Sequence, residues 1–333
     1  MYFFFSKLNK FLNNLFPPFF FKKNNKSFYK AEIVKHLIKK DEWNYNDPKL
    51  KNFYFLEKKI YFNNLYCDPY TGFYFNKSGR LVISEHIFKH YINIYHNFFL
   101  YFFINKKKIK KGVFFGGYFM ENYCHFLFYI YVPILFLPKE YTLVFDSRLL
   151  NHKFFKDYLD TSLKDRKYIL INKPTLFEEG LIYQKKYLGN KELNNINPEL
   201  LKKNKKYNTI YLKRFSKNRN INLNNEKKII FFLRKRFKNI KVITCHNLSL
   251  KKQIEVFANA KTIIGVHGAD FANIIFGLKN IKRIIEFCPP AFFTGVYPRI
   301  SKLYKIDHVQ ITGTQSGYNH EFSIELNDIK KII

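Results

Sequence analysis

Residues Gly265 to Asn273 read Gly-Val-His-Gly-Ala-Asp-Phe-Ala-Asn, a loop running from a β-branched stretch into an apolar one. Gly268 has no Cβ, so a ligand can approach the main chain there, and amides at a helix start favour an anion. His267 can donate a hydrogen bond to a phosphate, and Asn273 can orient the loop. A second reading fits the same residues: a tight turn with a buried histidine and Asp270 as the helix N-cap. The spacing is neither G-x-G-x-x-G nor a P-loop.

Arg214 and Arg219 flank the polar segment Phe-Ser-Lys-Asn directly after a short apolar run. A guanidinium is a rigid fork of donors that suits a diphosphate better than an ammonium does; a pair of solvated charges is the alternative. Glu286 closes the apolar run Arg283–Phe287, where a carboxylate can accept from two ribose hydroxyls or simply pair with a neighbouring charge. His125 opens an apolar helical stretch, with Glu121 four residues earlier. A His–carboxylate pair facing a cleft can take a proton from an acceptor hydroxyl. A hydrogen-bonded core histidine explains His125 equally simply.

The elements that must carry these residues are legible beyond about residue 207. Thr209–Leu212, Ile240–Thr244, Lys261–Val266 and Arg283–Phe287 read as short strands. Between them, Ile229, Ile230, Leu233 and Phe237 recur at helical spacing, and Ser249 precedes a second helix with Leu250, Ile254 and Phe257 on one face. Such alternation demands crossovers, hence a parallel sheet covered on both faces. Open parallel sheets take ligands beyond the carboxyl ends of their strands. Lys213-Arg214, His267–Asp270 and Glu286 all fall at those ends.

Earlier in the chain, Phe73–Phe75 and Leu81–Ile83 bracket a turn at 76–80 and read as a hairpin. A helix is predicted from about Asn122 and a strand over Tyr141–Phe145. The polar stretch 189–208 reads as a linker, which divides the chain into 1–206 and 207–333, with the last helix placed to pack back on the first domain. Residues 1–50 are irregular and basic.

Composition bounds the function. The 333 residues hold 58 Lys plus Arg against 25 Asp plus Glu, a formal charge of +33. A hydrophobic fraction of 47 % excludes disorder for the bulk of the chain. The field attracts nucleic acid, anionic lipid or phosphorylated ligands, although lysines of an AT-rich coding sequence would produce much of it without function. Cys67, Cys124, Cys245 and Cys288 show neither zinc spacing nor a disulfide framework, and read as structural thiols of a reducing compartment. The first 23 residues lack the pattern of a signal peptide or a membrane span. Their aromatics and lysines fit a peripheral contact with an anionic membrane. The 13-residue apolar run Phe126–Pro138 reads as a buried core element.

Taken together, these residues resemble glycosyltransferase family 61. The likeness rests on the aromatic-flanked histidine of Asn122–Phe126, the two-arginine segment Arg214/Arg219, and the stretch Gly265–Phe276 (G-x-H-G-A-x-x-x-N-x-x-F) followed by a strand ending in Glu286. It spans residues 116–290. The resemblance implies an α/β, GT-B-like architecture, with two Rossmann-type domains whose parallel sheets face a cleft. It also implies an inverting, metal-independent transfer from a nucleotide-sugar donor to a hydroxyl of a glycan or lipid-linked glycan.

On that basis Arg214 and Arg219 stabilise the leaving diphosphate, His267 and Gly268 line the phosphate site, Asn273 braces the loop and Glu286 holds the ribose. His125, with Glu121, is the candidate base. No cofactor and no metal are expected, in keeping with the lack of an Asp-x-Asp pair. The expected location is cytoplasmic or peripheral on the inner face of a membrane, with no nucleic-acid partner. Two departures stand out: Asp270 replaces a small residue, and the Asn-Glu pair expected after the arginines matches either Asn222 or Asn225-Glu226. The competing classes are a basic nucleic-acid-binding protein and a catalytically inactive glycan-binding relative.

Overall fold

The computed structural model describes residue 8 and residues 29–37, 53–83, 100–117, 120–163, 166–185, 208–214, 221–290, 295–315 and 321–333. The expected linker at 189–208, apart from Asn208, and the site candidate Arg219 lie outside the described residues, as does most of the basic segment 1–50, in which Tyr29–Leu37 form a strand where irregular chain was expected. The chain divides into two compact units, Met1–Tyr187 and Leu188–Ile333.

The first unit is built on strands β1 (Tyr29–Leu37), β2 (Phe53–Cys67), β3 (Tyr74–Phe75), β4 (Leu81–Ile83), β5 (Ile109–Phe115), β6 (Thr142–Asp146), β7 (Tyr168–Ile171) and β8 (Thr175–Lys185). They form one sheet in the order β4-β3-β2-β8-β5-β6-β7, with β1 paired to β2. The predicted hairpin is β3–β4, closed by Asn76, whose Oδ1 accepts from the amides of Ser78 and Arg80, and by Gly79 at φ 79°.

A wholly parallel Rossmann-type sheet was the expectation for this unit, and the sheet is mixed instead. Strands β1 to β4, and β2 with β8, pair antiparallel; only β8-β5-β6-β7 are parallel. Short described turns join β2 to β3 and β3 to β4, which makes those neighbours antiparallel, whereas parallel neighbours need crossovers. One crossover, between β5 and β6, is a helical run of an α turn (Tyr123–Phe126), a π turn (Leu127–Tyr131) and an α segment (Val132–Phe136). Pro133, which cannot donate to the carbonyl of Tyr129, follows the π turn. The other crossover, between β6 and β7, contains α1 (Lys153–Ser162). Phe126, Leu127, Ile130, Tyr131 and Val132 are buried, as the apolar run predicts. Among the described residues, no helix is long and apolar enough to cross a membrane.

The second unit holds five parallel strands, β9 (Thr209–Leu212), β10 (Ile240–Ile243), β11 (Thr262–Val266), β12 (Arg283–Cys288) and β13 (Asp307–Thr312), in the order β10-β9-β11-β12-β13. Four of them sit where the apolar runs predict. The fifth, β13, is new, and its alternation of polar and apolar residues hides it from a search for apolar runs. Helix α2 (Glu226–Arg236) packs Ile229 and Leu233 onto one sheet face, against Tyr211, Ile264, Val266, Ile285, Phe287 and Ile311. Helix α3 (Leu250–Asn259) is capped as predicted, the Ser249 hydroxyl accepting from the amide of Lys252 at 3.3 Å. Helices α4 (Val296–Leu303) and α5 (Leu326–Ile332) complete the unit, with Ile329 of α5 in its core.

Numbered from β9, this sheet runs 2-1-3-4-5, a doubly wound order that changes direction between β9 and β11. Ligands of open α/β sheets bind past the strand ends at such a switch, and Arg214 and His267 follow β9 and β11 there.

Candidate functional site

β9 and β11 are neighbours, with Leu212 opposite Gly265. A Cβ on Gly265 would strike the Leu212 carbonyl and lie 2.8 Å from the Leu212 Cβ, so the first glycine of the loop motif serves strand packing. Past the strand ends, Nη1 of Arg214 donates to the carbonyl of His267. The guanidinium lies against Gly268, where a Cβ would come within 2.7 Å of Nη1. The backbone of Gly268 is extended (φ 172°), so this close approach is what calls for glycine there.

Four further bonds fix the loop. The Tyr297 hydroxyl donates to the carbonyl of Gly268 at 2.7 Å, and its ring lies 5.6 Å from that of His267. Nδ2 of Asn273, fully buried, donates to the carbonyl of Asp270 at 3.0 Å and to Oε1 of Gln253 at 3.0 Å. The amide of His267 donates to the Phe287 carbonyl at 2.8 Å, extending the β11–β12 ladder.

The segment after the loop is a 3₁₀ helix, Ala269–Phe276, with Gly268 in the capping position. Asp270 therefore sits inside the first turn and is not the N-cap. Burial pushes its carboxyl up to about 6, against the pull of Arg214 and His246.

Glu286 is enclosed, with no exposed surface. Strand periodicity explains its neighbours: Gly265 is opposite Glu286, and Glu286 is opposite Gln310. His267, Glu286, His308 and Gln310 thus share one sheet face. Oε1 of Glu286 lies 2.5 Å from Nδ1 of His267, and Oε2 accepts from Nε2 of Gln310 at 2.6 Å and from Nε2 of His308 at 3.1 Å. The Ser301 hydroxyl meets Nδ1 of His308 at 2.7 Å. Burial alone would raise the Glu286 carboxyl, but the hydrogen bonds and charges of His267 and His308 hold it down to about 2. The carboxylate faces the inside of the domain and addresses His267. His267 itself is 5 % exposed.

The structure thus brings together Arg214, His267, Gly268, Asn273 and Glu286. Of the two Asn alternatives, Asn225 is tied to the backbone of Ile324 and Glu226 to the Tyr211 hydroxyl at 3.0 Å, whereas Asn222 is exposed. Sequence reasoning missed Tyr297, Ser301, His308 and Gln310. His308 and Gln310 stand two apart, the spacing of one strand face, but the strand carrying them had gone unrecognised.

In the first unit, the helix begins at Tyr123 with Asn122 as its cap, Oδ1 accepting from the amide of Cys124 at 2.9 Å. Glu121 consequently precedes the helix, and the four-residue spacing to His125 is not a helical one. Its carboxylate meets Arg148 and His152, each at 3.9 Å. The buried carboxylate of Asp146, at the end of β6, anchors Arg148, which also donates to the carbonyl of Tyr70 at 3.2 Å. His125 is half-buried with its ring edge-on to Tyr129.

Among the described residues, one group has potential metal-ligand atoms within 4.8 Å of one another: His267, Glu286 and Cys288. His267 and Glu286 are bonded to each other, and burial, helped by Glu286, pushes the Cys288 thiol far up.

Among curated proteins, none matches the chain. The model of the family described as Glycosyltransferase 61 matches residues 9–291, a span that includes the loop at the β9–β11 switch and ends before α4 and β13. With most of its length so matched, the chain belongs to glycosyltransferase family 61 and is a glycosyltransferase.

Proposed function

We propose that the chain transfers a sugar from a nucleotide-sugar donor to a hydroxyl of a glycan or lipid-linked glycan, with inversion and without a metal ion. The observation that carries this reading is the meeting of Arg214 with the His267–Gly268 loop at the strand-order switch between β9 and β11. Ligands of open α/β sheets bind at that place.

On this reading the acceptor oxygen forms a bond to the anomeric carbon as the bond to the diphosphate breaks, and the electron pair leaves with the diphosphate. Arg214 places positive charge at the departing oxygens, and the loop amides and the edge of His267 line the same position. Arg219 is carried as a second cation of the same role. Glu286 acts through His267 and not on a ribose, because its carboxylate is enclosed. Its bond to Nδ1 orients the ring and balances its charge when Nε2 carries a proton. Asn273 holds the loop in shape. His125 is the proposed base for the acceptor hydroxyl, while Glu121 serves Arg148 and His152. The GT-B arrangement, the cytoplasmic location and a peripheral contact with anionic lipid belong to this proposal as the resemblance and the charge suggest them.

A thermal-shift screen against uridine, guanosine, adenosine and cytidine diphosphates and their sugars, with and without chelator, tests it. A chelator-insensitive rise in the melting midpoint with one nucleotide is expected. A rise with added oligonucleotides only would overturn the nucleotide-sugar site in favour of a basic nucleic-acid-binding surface.

A further inference from the structure

An ionised carboxylate only accepts hydrogen bonds, so each partner of Glu286 must donate. His267 therefore carries its hydrogen on Nδ1, His308 carries one on Nε2, and Gln310 points its amide nitrogen inward. Where His308 is neutral, its hydrogen on Nε2 leaves Nδ1 to accept, which makes the Ser301 hydroxyl the donor. The hydrogens run in one sense, from Ser301 through His308 to Glu286, where the hydrogen of His267 meets them from the other side. Both carboxylate oxygens are engaged, so the group cannot rotate without stranding a buried donor.

Three of these residues, Ser301, His308 and Gln310, lie beyond the span matched to the family, which ends at residue 291. The fold places them by local rules. His308 and Gln310 alternate along β13 onto the Glu286 face, and α4, which crosses from β12 to β13, delivers Ser301.

We propose that His308 and Gln310 are positioning residues that hold Glu286 fixed and charged, and thereby keep His267 in the Nδ1–H form with a set ring orientation. The relevance of that ring to a donor phosphate rests on the function proposed above; the control of its tautomer does not. Without these two donors, Glu286 gains reason to take up a proton. A protonated carboxyl donates to Nδ1 and moves the ring hydrogen to Nε2.

The test uses the full chain labelled with ¹⁵N-histidine, titrated downward from about pH 8, above the ordinary histidine range. Long-range ¹H–¹⁵N spectra read the His267 tautomer, and titrations with uridine, guanosine, adenosine and cytidine diphosphates read binding. Wild type should show the Nδ1–H form. His308→Phe, which keeps the ring shape and loses the donor, should give up the Nδ1–H form at a pH about one to two units higher than wild type does, the equivalent of one charged hydrogen bond. With Glu286 less able to balance a charged ring, Nε2 loses the charge-assisted character of the bond it can donate to a phosphate, so nucleotide binding should also weaken about tenfold. His308→Gln, whose amide reaches the same position, should restore both. Gln310→Leu should shift the tautomer in the same direction, and it decides the matter if His308→Phe does not fold. An unmoved tautomer in the folded variants, or His308→Gln behaving like His308→Phe, overturns the inference. If the tautomer moves as expected but wild type binds none of the four diphosphates, the positioning role stands and the donor-site reading fails.

Discussion

Oε1 of Glu286 lies 2.5 Å from Nδ1 of His267, joining the strand-end glutamate of the family pattern to its loop histidine inside one domain. The two stand 19 residues apart in the chain, yet adjacent parallel strands bring them to one face. The contact makes Glu286 part of the loop's support. It also means that substitutions at Glu286 act on His267 first.

Glu286→Gln should lower stability by about 3 kcal/mol at neutral pH, because it removes one partner of a buried charged network. The pH dependence has a definite sign. With its carboxyl held to about 2 in the folded protein, against an ordinary glutamate near ~4.3, Glu286 stabilises the fold above the ordinary value. That contribution drains away as pH falls toward about 2. Chemical denaturation across the acid range should show the wild type losing this contribution and Glu286→Gln lacking that part of the slope.

Asp270 should behave in the opposite way. Its carboxyl is raised to about 6, so the folded protein binds the proton more tightly than the unfolded chain does. Stability should therefore fall as pH rises from the ordinary aspartate range to about 6. Asp270→Asn should recover on the order of 1–2 kcal/mol at pH 8 once solvent screening is allowed for, and nothing near pH 4. Melting midpoints at the two pH values check it.

The two glycines of the loop motif should respond differently to the same change. Gly265→Ala drives a Cβ into the Leu212 backbone, which cannot move aside cheaply, and should cost about 2–3 kcal/mol. Gly268→Ala meets only the end of the Arg214 side chain in an extended backbone, so its cost should stay below about 1 kcal/mol. It should nonetheless weaken nucleoside diphosphate binding about tenfold by displacing the guanidinium. Parallel melting curves and binding titrations separate the two effects.

Arg214→Ala should reduce donor affinity and turnover together. Because Nη1 also donates to the carbonyl of His267, a loss of about 1 kcal/mol in stability should accompany it. Arg214→Lys keeps the charge but not the fork, and should recover only part of the affinity. Binding and melting measured on the same three proteins check this.

The strands and helices of residues 209–288 were legible because parallel strands buried on both faces read as apolar runs with clear helical periods between them. β13 was not. Asp307, His308, Val309 and Gln310 place polar side chains on a strand face, and that pattern has a reason only once Glu286 is known to need donors. The mixed sheet of the first unit escaped for a related reason: its aromatic runs signalled strands without indicating which connections were tight turns. At the site, Arg214, His267 and Gly268 could be found by their position after strands. The Glu121–His125 pairing relies on helical spacing that the Asn122 cap interrupts by starting the helix at Tyr123, two residues after Glu121.

Hydrogen–deuterium exchange of the full chain, with and without a saturating nucleoside diphosphate, tests the central claim most directly. Slower exchange confined to peptides covering 209–214 and 265–276 is the predicted result. Protection elsewhere, with these two segments unchanged, would contradict a donor site at the β9–β11 switch.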